Sequence, residues 1–217
     1  MISKRLKSVA DYLDVTDNVM DVGCDHALLS IYLYNRGISS IIASDVNENA
    51  LKVAEKNIIR HGANIETRLS YGISSLSEND SVDTLAIAGM GALTCLSILD
   101  DNNIKYIKKL VIQVNKDVYL LRKEVSKKDF IIDMESIINE SNKFYITICF
   151  KRGKKKYSFK DLYFGPKLRK NKNEIYRNYL NANLNKLENI VRKVPKYKFF
   201  YYLKLKFLIY ITKKETK

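Results

Sequence analysis

The chain holds 217 residues, 46% hydrophobic and 29% charged, with no low-complexity tract. This suits one α/β domain with a small appendage and excludes disordered or fibrous classes. The net charge of +14 is lopsided: residues 1–150 carry 17 Lys+Arg against 20 Asp+Glu, and residues 151–217 carry 21 against 4. A tail so basic points to a polyanion, RNA or DNA ahead of an anionic membrane.

Leu6, Val9, Ala10 and Leu13 place a short helix over 3–14. Residues 18–23 read as a buried strand ending in Gly23, and 26–36 as a helix stopped by Gly37. A second strand, 41–46, precedes a helix over 47–61 that Gly62 ends, and a third strand fits 65–70. Residues 84–88 form the fourth strand, followed by Gly89-Met90-Gly91 and a helix to about Leu99. Residues 110–114 form the fifth strand, with a helix over 117–128. Strands at 130–138 and 144–151 flank a turn-rich Glu140-Ser141-Asn142-Lys143, so a hairpin is expected. Alternating strands and helices imply a parallel sheet covered on both faces, here closed by an antiparallel pair.

Beyond residue 152 the pattern changes. The basic stretch 151–160 reads as a linker or phosphate-facing loop, and helix begins at about Leu162. Ile175, Tyr179, Ala182, Leu184, Leu187, Ile190 and Val191 recur at helical spacing until Pro195 breaks the run. Phe199, Leu203, Phe207 and Tyr210 mark a second helix. Two domains are therefore expected: 1–152, and a helical, coiled-coil-like hairpin over 153–217.

Cys24, Cys95 and Cys149 lack CxxC spacing, which argues against zinc or a disulfide framework and fits a reducing cytosol. No apolar segment follows the N-terminal basic residues as in a signal peptide, and no run reaches bilayer length. The expectation is a cytoplasmic monomer without a metal.

Three loops carry chemistry. A strand ending at Gly23 and turning into a helix presents free N–H groups to the polar end of an adenosyl cofactor. Only Gly23 of a GxGxxG fingerprint is present, so a cofactor without a pyrophosphate fits better. Asp21 lies beneath the loop and either holds it or meets a cofactor ammonium group through water. Asp45, 22 residues after Gly23, ends the next strand and stands where a carboxylate binds ribose hydroxyls; the competing reading is a helix cap. Ile87-Ala88-Gly89-Met90-Gly91 follows the fourth strand, where open sheets bind ligands.

Together, Asp21-Val-Gly-Cys-Asp-His-Ala, Ser44-Asp-Val, Ile87-Ala-Gly-Met-Gly, Gln113-Val-Asn and Glu140-Ser-Asn-Lys-Phe-Tyr145 resemble the bacterial tRNA (adenine-22-N1)-methyltransferase family. The resemblance covers residues 3–151 and continues more weakly through Phe164-Gly165-Pro166-Lys167. It implies a Rossmann-like class I methyltransferase domain, a C-terminal coiled-coil domain, and methyl transfer from S-adenosylmethionine to N1 of adenine 22 in tRNA. By position, the cofactor residues are Asp21, Gly23, Asp25, Asp45, Val46, Gly72, Ala88 and Gly89, with Cys24, Tyr71 and Met90 beside them. Tyr71 departs from the family's acid at that place, and Asn47-Glu48-Asn49 and Val114 also depart.

Adenine N1 already carries a lone pair, so positioning and desolvation matter more than a strong base. Asp25, His26, Gln113 and Asn115 are the candidates to orient the base edge; His26 has a second reading as a helix-start residue bonded to backbone. Phe144 and Tyr145 stack on a base or sit in the core. Lys151, Arg152, Lys154, Lys155, Lys156, Arg169, Lys170 and Lys172 are the candidate phosphate contacts. The alternatives are a methyltransferase acting on another substrate, a non-catalytic RNA-binding protein on the same fold, and a membrane-surface role for 196–211.

Overall fold

The computed structural model describes residues 2–195 and 197–216. Five strands are parallel: β1 (Val19–Val22), β2 (Ile41–Asp45), β3 (Glu66–Leu69), β4 (Thr84–Met90) and β5 (Lys109–Val114). β6 (Phe130–Glu140) and β7 (Lys143–Arg152) form the hairpin, and the sheet order is β3-β2-β1-β4-β5-β7-β6. β7 is antiparallel to both β5 and β6. Every residue of β1 and β5 is buried, the polar Asp21, Lys109 and Gln113 included, as expected of central strands in a sheet covered on two faces. Ser141 and Asn142 both take positive φ (50° and 60°), the hand that a two-residue hairpin turn needs.

The chain runs outward from β1 to β2 and β3, then returns to β4 on the other side of β1. Ligands bind outside the carboxyl ends of strands where the order reverses in this way. The helices are α1 (Lys4–Ala10), α2 (Leu28–Asn35), α3 (Glu48–Arg60), α4 (Ala92–Leu99), α5 (Val118–Val125) and α6 (Phe159–Phe164). α1 is shorter than the expected 3–14 and ends one residue before a turn at Asp11–Tyr12. α2 starts two residues later than expected because Asp25 and Ala27 are left-handed (φ 50° and 55°). Ser8 and Thr147 share a buried 2.7 Å hydroxyl bond that ties α1 to the hairpin.

Contacts divide the chain into Met1–Lys167 and Leu168–Lys217, not at 152/153. Residues 153–167 stay with the first unit for a local reason. Arg122 of α5 donates through Nε to Glu135 of β6 at 2.6 Å, with both side chains essentially inaccessible. Its Nη1 reaches the Leu162 carbonyl at 3.1 Å, and the Lys167 N–H donates to Glu135 at 2.9 Å. A Cβ on Gly165 (φ +92°) would lie 2.6 Å from Arg122 Nη2, so glycine lets the chain turn over the pair.

In the second unit, α7 (Glu174–Arg192) and α8 (Phe199–Glu215) pack on each other, with Pro195 in the break between them. The faces differ from those expected. Tyr176 and Leu180 are the buried side chains of α7, whereas Ile175 is exposed. On α8 the buried side chains include Leu205, Ile209 and Thr212, and Phe199, Leu203, Phe207 and Tyr210 are exposed. Both runs are apolar on several sides, so spacing alone did not select the inward face.

Replacing Arg122 by Met strands a buried carboxylate and is expected to cost about 3–5 kcal/mol. The double variant R122M/E135L removes both charges and should recover most of that loss. Urea denaturation of the two variants measures the difference.

Candidate active site

β1 ends in a loop held by its neighbour. The N–H groups of Gly23 and Cys24 both donate to the Ser44 carbonyl, at 2.8 and 2.9 Å. Gly23 takes φ +75°, and a Cβ there would meet the Met90 side chain at 2.2 Å. The loop thus nests against the end of β4 because it has no side chain at this point. The Asp45 carboxylate accepts from the Asp25 N–H at 3.1 Å and the Asn47 N–H at 2.9 Å. Two backbone donors therefore fix its rotamer while leaving acceptor capacity. The cap of α3 is Asn47, whose Oδ1 accepts from Asn49 N–H at 2.8 Å, so capping is not the task of Asp45.

Asp21 is buried under this loop and accepts from the Ser30 hydroxyl at 2.6 Å. Burial pushes its carboxyl up to about 6; the Ser30 hydrogen bonds oppose this and the Asp45 charge adds to it. Burial also raises the Cys24 thiol, helped by Asp21 and Asp45, so Cys24 stays neutral.

Two adjoining clefts open at the carboxyl edge of the sheet and share Gly23, Ala88 and Gly89. The first, about 310 Å³, lies between Asp45, Val46, Tyr71, Gly72 and Met90. Ser70, Thr94 and Ile98 also line it, and no sequence motif marked them. The second, about 270 Å³, is lined by Asp21, Cys24, Asp25 and His26 together with Arg5. Every residue expected at the cofactor thus lines one cleft or the other.

The expected base-orienting residues separate into two pairs. Asp25 and His26 stand at the mouth of the second cleft, more than half exposed, with Nε2 and Oδ1 3.6 Å apart. The His26 carbonyl accepts from Asn57 at 3.0 Å. Gln113 and Asn115 line neither cleft. Gln113 is fully buried; its Oε1 accepts from Gly89 N–H at 3.1 Å and Arg5 Nη1 at 3.0 Å. Its Nε2 donates to Asn115 Oδ1 at 3.3 Å, and Asn115 donates to the Gly89 carbonyl at 2.6 Å. These two amides brace the Gly89 peptide, Gln113 from within the sheet and Asn115 from the exposed end of the strand.

Arg5 is the functional candidate that spacing missed. It enters from α1, stands against Gly89, and lies 6.0 Å from the Tyr145 ring centroid. Its signal in the sequence is slight: Arg5 and Ser8, three apart, give α1 a polar flank beside its apolar face.

The candidate phosphate contacts also differ among themselves. Arg152 is committed to structure: it donates to the carbonyls of Ile107, Lys128 and Ile104 and lies 4.2 Å over the Phe130 ring. Lys151 pairs with Asp133 at 2.9 Å, and Lys154 loosely with Asp129 at 3.6 Å. Arg169 and Lys172 both bond Glu215 within the second unit. Lys155, Lys156 and Lys170 are exposed. Among the described residues no cluster of His, Cys, Asp or Glu is arranged to hold a metal, and no helix is long and apolar enough to cross a membrane.

A parallel sheet that reverses at β1 and closes with an antiparallel hairpin, a single-glycine loop and a carboxylate ending β2 define a class I, S-adenosylmethionine-dependent methyltransferase. A family model for tRNA (adenine(22)-N(1))-methyltransferase, TrmK, matches residues 19–207, and the chain belongs to that family. It is 26% identical over 204 residues to the Bacillus subtilis tRNA (adenine(22)-N(1))-methyltransferase, covering 89% of this chain and 85% of the relative. Among solved structures, Streptococcus pneumoniae Sp1610 in complex with S-adenosyl-L-methionine superimposes with TM-score 0.89 at 32% identity over 100% of both chains. M. capricolum TrmK in complex with S-adenosyl-homocysteine gives TM-score 0.89 at 29% identity, covering 100% of this chain and 98% of the other.

Two predictions test this geometry without substrate. A raised carboxyl contributes stability fully only below its ordinary value, near 4, and loses it as pH rises through about 6. Asp21 should thus cost the ligand-free protein about 3 kcal/mol at pH 8 relative to pH 4. Asp21→Asn should come close to the wild type in thermal melts at pH 4 and exceed it at pH 8. Gly23→Ala forces L-residue strain of about 1–2 kcal/mol and drives the Met90 tip away from the loop. Calorimetry should show weakened cofactor binding that adding Met90→Ala restores only in part.

Proposed function

We propose that this S-adenosylmethionine-dependent tRNA (adenine(22)-N1)-methyltransferase divides its cofactor between the two clefts. The observation that carries this reading is the presence of opposite charges in the second cleft, which both Arg5 and buried Asp21 line. An α-amino acid zwitterion fits that pair, with its carboxylate toward Arg5 and its ammonium toward Asp21. The first cleft, with Asp45 prepared by two N–H donors, takes the ribose, and exposed Tyr71 offers a ring face to the adenine. Gly23 and Gly89 leave the floor between the clefts bare of side chains.

The cofactor, when bound, supplies an electrophilic methyl on a sulfonium centre. The chain need not provide a strong base, because adenine N1 offers its own lone pair. Its residues hold the base edge and exclude water. Asp25 accepts from the adenine N6 amino group and faces the positive charge that N1 methylation leaves on the ring. His26 borders the same mouth and orients Asp25. Gln113 and Asn115 act through Gly89 and Arg5, as positioning residues. An adenine in a paired or stacked arm must first be exposed, so local melting or flipping accompanies binding. Lys154, Lys155, Lys156 and Lys170 supply phosphate contacts. The three buried, unpaired cysteines support a cytoplasmic setting, and we take the working form to be a monomer.

Unmodified tRNA and labelled cofactor should give a product whose modified nucleotide maps to N1 of adenine 22, and an A22→G transcript should give none. Methylation of another nucleotide, or of protein only, would overturn the substrate. Asp45→Ala should raise the cofactor dissociation constant at least tenfold, about 1.4 kcal/mol or more. Asp25→Asn should lower kcat more than it weakens cofactor binding.

A further inference from the structure

The exposed side of α8 has no role in the site described above. Tyr197, just before the helix, is 81% exposed; Phe199 and Phe200 in its first turn are 58% and 86% exposed, and Tyr202 and Leu203 are also exposed. Further along the same side lie Phe207 and Tyr210, about half exposed. A row of large aromatic side chains in water is costly and marks a contact surface. Leu205, Ile209 and Thr212 occupy the buried side of the helix, so the aromatic row is not needed for packing there.

Charge identifies the partner. Residues 197–214 contain no Asp or Glu, and their lysines stand among the rings. Lys206 lies 5.5 Å over the Tyr202 ring, and Lys198 lies 6.0 Å from that of Tyr197. A helix that lies on a bilayer separates an apolar face from a charged one. Here rings and ammonium groups share one face. A second copy of this face would bring like charges together. Interleaved rings and cations fit a strand of unpaired nucleotides, bases on the rings and phosphates on the lysines.

We propose that the outer face of α8 is a stacking platform for unpaired bases of the substrate tRNA, with Phe199 and Phe200 as its main rings. This rests on the tRNA methyltransferase reading and adds how the RNA is held: by base stacking as well as by charge. Binding through this face is therefore less salt-sensitive than binding by lysines alone.

The test compares full-length F199A/F200A with F199L/F200L, using direct tRNA binding, methyl-transfer kinetics and circular dichroism. Both side chains are exposed, so the helix signal should not change. The alanine pair should weaken tRNA binding about tenfold or more and raise KM for tRNA in parallel, with kcat retained. The leucine pair should be equally weak, since it keeps apolar area without a π-face. Leucine restoring wild-type binding would overturn the proposal, as would unchanged tRNA binding in the alanine pair. So would α8-dependent flotation with phosphatidylcholine–phosphatidylserine vesicles, or self-association lost in the alanine pair, where tRNA binding is unaffected. Because tRNA binding is measured without methyl transfer, loss of the platform is distinguished from loss of the enzymatic reading.

Discussion

Everything at the carboxyl edge of the sheet depends on the backbone bonds between the end of β1 and the end of β2. Gly23 and Cys24 donate to Ser44, and Asp25 donates to the side chain of Asp45. These bonds set the loop at the point where strand order reverses, so that two clefts open on either side of it. The same bonds orient Asp45 before any ligand arrives, which lowers the ordering cost of binding. On the other side, Gln113 and Asn115 fix both polar groups of the Gly89 peptide. The floor of the site is thus backbone held by fixed polar side chains, buried Gln113 and exposed Asn115, and little of it needs to move.

Asp21 shows what that arrangement costs. A buried carboxylate whose hydrogen-bond donors come from Ser30 alone is poorly compensated, and its raised proton affinity reflects the deficit. Nothing in the packing of β1 requires a charge there. A cationic ligand group beside it would relieve the deficit, which explains why an unfavourable group is retained in an otherwise apolar strand. The Arg122–Glu135 pair contrasts with it. That pair is fully enclosed and also holds backbone groups of α6 and Lys167, so its charges serve packing and have no opening to a ligand.

The site was legible wherever its residues follow one another along a strand end. Gly23 and Asp45 declare themselves by strand context and separation, and Gly89-Met90-Gly91 by the turn it makes. Backbone-scale geometry of that kind is local. Side-chain direction is not. Gln113 ends a strand and looked able to face the cleft, but its amide turns into the sheet to satisfy Gly89 and Arg5. Arg5 reaches the site from a helix that precedes β1, and its relevance depends on how α1 docks against the hairpin. In α8 the sequence is apolar or aromatic on most sides, so periodicity could not decide which side packs. The structure buries the aliphatic side and leaves the aromatic one in water.

That choice of side changes how the charge of the tail is understood. Counted in the sequence, residues 151–217 form one strongly basic block. In the structure, Arg152 is absorbed by carbonyl groups, and Arg169 and Lys172 are occupied by Glu215. Paired cations of this kind are weaker phosphate ligands than their number suggests, because an RNA phosphate must displace an existing partner. What distinguishes the second unit is not how much positive charge it carries but where that charge lies relative to the aromatic rings. Lysines among exposed rings favour a ligand with alternating planar and anionic groups. Among the partners that a basic surface admits, a nucleic acid with unpaired bases is the one built on that pattern.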